Sequence, residues 1–259
     1  MRRALCLAAA LLAGCAAAPE PEGPKVDSGT ISGNTTDPRN RARIRTELAA
    51  LYYARGNMNI ALEELRSAVA ADPDYAVAHG MFGLVYMELK ENGLAQTSFQ
   101  RALGLAPDDP DINHNYGWFL CQTNRERESI PYFMRALRNP LYATQARSWS
   151  AAGTCELRRG NLREAEGYLQ RALAIDPNQP AALMQLAQVR YRQGNLEEAR
   201  KLVARHAKVV DATPESLWLA LRIERRFGQR NNELSYANQL RRRFPQSAEA
   251  QALQRGAYD

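Results

Sequence analysis

Residues 159–180 read RGNLREAEGYLQRALAIDPNQP, and residues 192–202 read RQGNLEEARKL. In both, a Gly-Asn pair interrupts one helical pattern and an apolar stripe at i, i+3, i+4 spacing opens the next, which is the grammar of two helices joined by a tight turn. Gly160 and Gly194 stand 34 residues apart. A fixed period must be tested along the whole chain before any other fold is considered.

With repeats begun at Ala42, Ala76, Pro110, Ala146, Pro180 and Pro214, the order small residue, aromatic, Gly, Ala, large apolar, Ala, Pro falls into register. This is the tetratricopeptide (TPR) pattern. The first repeat supplies Ala49, Tyr52, Gly56, Ala61, Leu65, Ala68 and Pro73, the second Gly83, Tyr86, Ala95, Phe99, Ala102 and Pro107, and the fourth Gly153, Gly160, Ala165, Leu169, Ala172 and Pro177. The third keeps Gly117, Phe133 and Ala136, with Pro140 one place early and two residues inserted after it. The fifth has Ala187, Gly194, Ala199 and Val203 but no closing proline, and the sixth keeps Gly228, Ala237 and Pro245. Small residues at the eighth and twentieth places let the two helices of a repeat approach, and the large residue at the twenty-fourth fills the space between them. Glycine at the fifteenth ends helix A in a left-handed conformation, and proline at the thirty-second ends helix B. The pattern predicts an all-α, right-handed superhelical solenoid of six TPR repeats over residues 42–247, with 248–259 as a capping or frayed tail.

Composition agrees: 45% of the residues are hydrophobic and only 8% aromatic, enough for a sizeable core built from good helix formers. The net charge is +6, but acidic residues are interspersed throughout and no nucleic-acid-binding module accompanies the charge, so no nucleic acid is expected as partner. Residues 1–15, MRRALCLAAALLAGC, begin with Arg2 and Arg3 and continue with an apolar run too short to span a bilayer. The run ends in Leu12-Ala13-Gly14-Cys15, which resembles the lipobox of bacterial lipoproteins. On that reading 1–14 is a signal peptide and Cys15 becomes the lipidated first residue, held by acyl chains worth about 0.8 kcal/mol per buried CH₂. Ala16, where an aspartate would signal inner-membrane retention, points by the same resemblance to the outer membrane and its periplasmic face. Residues 15–41 carry Pro19, Pro21, Pro24 and Pro38 with few large apolar residues, the composition of a flexible tether.

In TPR proteins places 2, 5, 9, 12 and 13 of each A helix line the concave face. Carried over by position, they give Tyr53, Leu84, Met87, His114 and Trp118 in repeats one to three, an apolar strip of the kind that marks a binding surface. Repeats four to six give Arg147, Leu157, Arg158, Tyr191, Arg192, Trp218, Arg222, Arg225 and Arg226. The expected partner-binding groove is thus Tyr53, Leu84, Met87, His114, Trp118, Arg147, Leu157 and Arg158, suited to a peptide or helix with an apolar face and an acidic flank. The competing readings are that Trp118 and Met87 pack between A helices and that the arginines are a solvated face. Cys121 and Cys155 fall in neighbouring A helices, where a disulfide, two buried thiols, or a metal or redox role would each be open; the pair has no clustered histidines and no C-x-x-C. His79, His114 and His206 are scattered, no nucleophile context or glycine-rich phosphate loop occurs, and so no enzyme, metal or cofactor is expected.

Residues 111–137, DINHNYGWFLCQTNRERESIPYFMRAL, are the most discriminating stretch. With the lipobox, six repeats and a second cysteine in the next repeat, the chain resembles the type IV pilus biogenesis and stability lipoprotein family (PilF/PilW type), the pilotins, over essentially its whole length. The resemblance implies a Cys121–Cys155 bond and a monomeric outer-membrane lipoprotein that binds the pilus secretin and helps it localise and assemble into its ring. A TPR scaffold for peptidoglycan or envelope-assembly proteins is the other function of this class.

Overall fold

The computed structural model describes residues 37–258. The expected signal peptide at 1–14, the lipidation site Cys15, nearly all of the 15–41 tether and Asp259 lie outside the described residues. Among the described residues there are thirteen α-helices and no strand. The first three repeats are the pairs α1 (Pro38–Ala54) and α2 (Met58–Ala71), α3 (Ala76–Glu88) and α4 (Asn92–Leu105), and α5 (Pro110–Gln122) and α6 (Glu126–Ala136). The last three are α7 (Gln145–Arg158) and α8 (Leu162–Ile175), α9 (Pro180–Arg192) and α10 (Leu196–Val209), and α11 (Pro214–Arg226) and α12 (Arg230–Arg243), followed by α13 (Ala248–Arg255). Each A helix packs on its own B helix and on the next A helix, so the A helices form a continuous inner layer and the B helices an outer one. The result is an all-α TPR solenoid.

Why the helices of a pair lie so close is visible at the eighth and twenty-fourth places. A Cβ added to Gly83 would stand 2.6 Å from the Phe99 ring, one on Gly117 3.0 Å from the Phe133 ring, and one on Gly153 2.6 Å from Leu169 Cγ. Missing side-chain volume on helix A is therefore filled by the large residue of helix B, and Phe99, Phe133 and Leu169 are fully buried. In the first and fifth repeats the pairs are Ala49 with Leu65 and Ala187 with Val203, all buried. The sixth repeat reverses the pair: Leu221 occupies the small place and Ala237 the large one, both inside one buried cluster. Exchanging large and small across the interface keeps the total volume, which cores tolerate well.

At the fifteenth place all six repeats turn through the left-handed region. Four use glycine (Gly56, Gly160, Gly194 and Gly228), while Lys90 (φ 63°) and Asn124 (φ 60°) do so with a side chain. Asparagine accepts this conformation more readily than lysine does. The fold begins earlier than the repeat pattern indicates, at Pro38 rather than 42, because the Asp37 side chain accepts from the Arg39 N–H and Pro38 suits the first helical position. At the other end, 248–255 form a capping helix: Ser247 caps its start, Gly256 ends it, and Ala250 and Leu253 bury against α11 and α12.

Two substitutions test this account in opposite directions. Gly83→Ala should lower stability by about 1–2 kcal/mol, since overlap with the Phe99 ring outweighs alanine's helical advantage. Lys90→Gly should raise it by about 0.5–1 kcal/mol by relieving the left-handed lysine. Urea midpoints of the two variants at unchanged m-value would show these shifts.

Candidate partner-binding groove

The inner faces of the A helices enclose three hollows. One, of about 260 Å³, spans α1, α3 and α5 and is largely apolar, with Val77, Met81, Leu84 and Ile112 in its walls and Arg43 and Glu47 at its rim. Arg43 and Glu47 are already paired to each other at 2.7 Å. A second, of about 150 Å³, spans α5 and α7 to the start of α9 and is lined by His114, Trp118, Arg147, Ser150, Thr154 and Gln179. The third, about 470 Å³, lies at the carboxyl ends of α3 and α5 beside Met87, Glu88, Trp118 and Gln122. Leu84, Met87, Trp118 and Arg147 border these hollows, and Trp118, half-buried, belongs to two of them. Tyr53 is half-buried against the core of the first two repeats and walls none of the three.

Two expected groove residues are corrected. His114 is only 2% exposed. Its Nδ1 lies 2.8 Å from Ser148 Oγ, which donates in turn to the Tyr142 hydroxyl at 3.3 Å, and its ring tilts against Phe133. The two-residue insertion before the fourth repeat brings Tyr142 into this chain, and so converts a groove position into wall. Burial first, then the Arg147 guanidinium, pull the imidazole down to about 3, so it is neutral at ordinary pH. Leu157, 4% exposed, is core instead: the last turn of α7 abuts α9, and the side chain is buried in the cluster that holds Val189 and Tyr191.

The arginines are largely committed within the protein. Arg158, Arg192 and Arg226 recur at the thirteenth place, 34 residues apart. Arg158 donates to the Cys121 carbonyl and to Gln122, Arg192 donates to the Leu157 carbonyl, and Arg226 lies over the Tyr191 ring. The first two reach back to the exposed carbonyl end of the preceding A helix, where unsatisfied acceptors and the helix dipole both favour a cation. Arg222 also covers Tyr191, and Arg225 pairs with Glu233. Arg225 further lies 3.8 Å from the centroid of Tyr258, which itself stacks on Trp218. The chain's own tail therefore covers the concave face of the sixth repeat. Of the six arginines, Arg147 alone has a guanidinium with no hydrogen bond, ion pair or aromatic face among the described residues.

Cys121 and Cys155 are joined in a disulfide between α5 and α7, with Cα atoms 5.8 Å apart. Ser150 and Thr154 line the second hollow from places 5 and 9 of the fourth repeat, and the sequence reading did not single them out. Two small hydroxyls on an alanine-rich helix gave no signal of their own. Among the described residues no cluster of potential metal ligands occurs, and no helix is long and apolar enough to cross a membrane.

Tetratricopeptide repeat models match residues 46–110 and 121–180, and a further one matches 156–222. The chain is 29% identical over 208 residues to the type IV pilus assembly protein PilF of Pseudomonas aeruginosa, covering 80% of this chain and 82% of that one. A solved structure of PilW, described as a widely conserved type IV pilus biogenesis factor, is 34% identical, superposes with a TM-score of 0.76, and is covered over 97% of its length by 82% of this chain. The chain belongs to the PilF/PilW family. A solved PilF structure from P. aeruginosa superposes equally well, at 27% identity with 99% of that chain covered. For this PilF/PilW protein the inner A-helix face is the concave surface of a TPR scaffold homologous to type IV pilus biogenesis factors.

Two measurements bear on how the groove walls are held. Replacing Cys121 and Cys155 together with alanine should cost about 3–4 kcal/mol, the chain entropy of a loop of this length, read from urea unfolding with and without the bond. His114 titrates lower in the folded state than in the unfolded one. The unfolded chain therefore takes up a proton below about pH 6.5 that the native protein refuses, and stability falls as pH drops from there toward 3. His114→Gln should reduce the stability lost between pH 7 and pH 5 by roughly 1–2 kcal/mol. The remaining acid sensitivity includes His206, whose imidazole is also lowered by burial.

Proposed function

We propose that this PilF/PilW protein is a pilotin: an outer-membrane lipoprotein, anchored through Cys15, that binds the pilus secretin along its concave face and promotes the secretin's localisation and multimerisation. The observation that carries the reading is the run of hollows beside Leu84, Met87 and Trp118. A half-exposed tryptophan between two hollows is the kind of anchor around which binding energy concentrates. Family membership supplies the pilus context, and the MRRALCLAAALLAGC start supplies the anchor. The protein works by holding a polypeptide, and none of its residues is assigned a catalytic role.

The tether and the scaffold would divide the work. Lipid on Cys15 confines the protein to the membrane surface, and a secretin segment held in the groove is then confined with it, which raises its effective concentration where the ring must form. The hollows lie along repeats one to four and reach the start of α9, whereas Trp218 in the sixth repeat is covered by Tyr258. Neither the anchor nor the grip alone would suffice.

Cys15→Ala and, separately, Trp118→Glu with Leu84→Glu should each reduce membrane-assembled secretin multimers about tenfold, in cells that still accumulate the variant at normal levels. Crosslinking from Trp118 should recover secretin from the unmodified protein. Normal multimers in both variants, or recovery of a cell-wall enzyme in place of secretin, would overturn the proposal and favour an envelope-assembly scaffold.

A further inference from the structure

The hollow beside Trp118 contains a polar group with nothing to bind. Ser150 is 2% exposed, its side chain walls the hollow, and its Oγ has no hydrogen-bond partner. Buried hydroxyls are rarely left so, and a helical serine ordinarily bonds the carbonyl one turn back. Its neighbour Thr154 does this, donating to the Ser150 carbonyl at 2.9 Å.

Of the other groups lining the hollow, Gln179 and Arg147 offer donors, while Thr154, its proton engaged, offers only lone pairs. Gln179 uses its side-chain carbonyl to cap the Ala182 N–H, and its amide NH₂ has no hydrogen-bond partner among the described residues. Arg147 is exposed at the rim, and it is the one groove arginine that neither a carbonyl, a carboxylate nor a ring occupies. His114 adds no charge, because its Nδ1 is engaged with Ser148 and its ring is buried. No carboxyl lines the hollow among the described residues; Asp111 feels Arg147 without being ion-paired to it, and burial, then Asp109, raise its pKa against the opposing pull of Arg147 and of a hydrogen bond with Tyr142. A space of about 150 Å³ with one cation, one amide NH₂ and one idle hydroxyl fits a group that only accepts, and a carboxylate is such a group.

We infer that the Trp118–Arg147–Ser150 hollow is a subsite for a single Asp or Glu side chain of the bound polypeptide, entered beside an apolar residue that lies on the Trp118 ring. This rests on the groove binding a partner segment and adds the chemistry that selects it. Trp118 supplies contact area that many apolar residues could use. The Arg147 and Ser150 pair supplies the selectivity, since a partner lacking the carboxylate would bury Ser150 Oγ unpaired.

The test uses the full chain in detergent with fluorescently labelled overlapping peptides from the pilus secretin, read by anisotropy. The peptide that binds most tightly should weaken tenfold or more when its acidic residue is replaced by the corresponding amide. Arg147→Glu should weaken the native peptide similarly and restore binding to a peptide carrying lysine at that position. Ser150→Ala should weaken binding several-fold, and Ser150→Leu, which fills the hollow, should abolish it; Ser150→Ala with an unchanged far-UV spectrum guards against misfolding. Equal binding of acidic and amide peptides, or no reversal with Arg147→Glu, overturns the subsite. If secretin still crosslinks to Trp118 in that case, groove binding itself survives. If no secretin peptide binds and no crosslink forms, both readings fail.

Discussion

Helix A and helix B of each repeat can meet only where one of them gives up a side chain, and the rest of the solenoid depends on that close approach. Gly83 against Phe99 and Gly153 against Leu169 leave no room for a single added carbon, and Gly117 against Phe133 leaves very little. Such contact sets the distance within each pair, and the stacked A helices inherit their spacing from it. The requirement is on volume rather than on residue type: Leu221 and Ala237 satisfy it with the large residue on the opposite helix. That exchange explains why the sixth repeat folds although its pattern is the weakest of the six.

Between repeats the ties are different in kind, and several of them meet at the junction of the third and fourth. The Cys121–Cys155 bond, the His114–Ser148–Tyr142 chain and the Arg158 contact with the Cys121 carbonyl all join α5 to α7 or to the loop before it. This junction also carries the insertion that breaks the repeat period. A break in period would otherwise loosen the stack, because each repeat contacts only its neighbours. The covalent and polar links hold the Trp118 hollow between two rigid walls, and preorganised walls lose little entropy when a segment binds.

The helical elements were legible in the sequence because each repeat must satisfy the same local demands at fixed spacing. The left-handed turn was legible as Gly56, Gly160, Gly194 and Gly228, but Lys90 and Asn124 adopt it too, and a pattern based on glycine passes over them. Positional rules pick out Leu84, Met87, Trp118 and Arg147, all of which border hollows on the inner face, since place in a repeat determines facing. They carry no information on burial at His114 and Leu157, because whether a facing side chain is covered depends on the neighbouring repeat, here on Tyr142 and on α9. Fifth-repeat decay had a physical effect as well. Leu103, Leu137 and Leu173 are followed at the same place by Ala207, and with Ala220 this leaves a cleft of about 390 Å³ on the outer side between α10 and α12.

Charge was where pattern and structure diverged most. Six arginines in groove places suggest a basic channel toward the carboxyl end, yet five of them satisfy helix ends, aromatic rings or a carboxylate of the same chain. An arginine spent on an intrachain carbonyl or ring contributes less to recognition than its formal charge implies, since releasing it would forfeit the contact it already makes. The basic character available to a partner therefore narrows from a surface to one guanidinium, Arg147, set beside an unpaired hydroxyl. Tyr258 narrows it further by closing the concave face at Trp218 and Arg225. A long groove of diffuse charge would hold any acidic chain; a single cation between tryptophan and serine asks for one carboxylate at one position, and geometry in place of net charge becomes the source of discrimination.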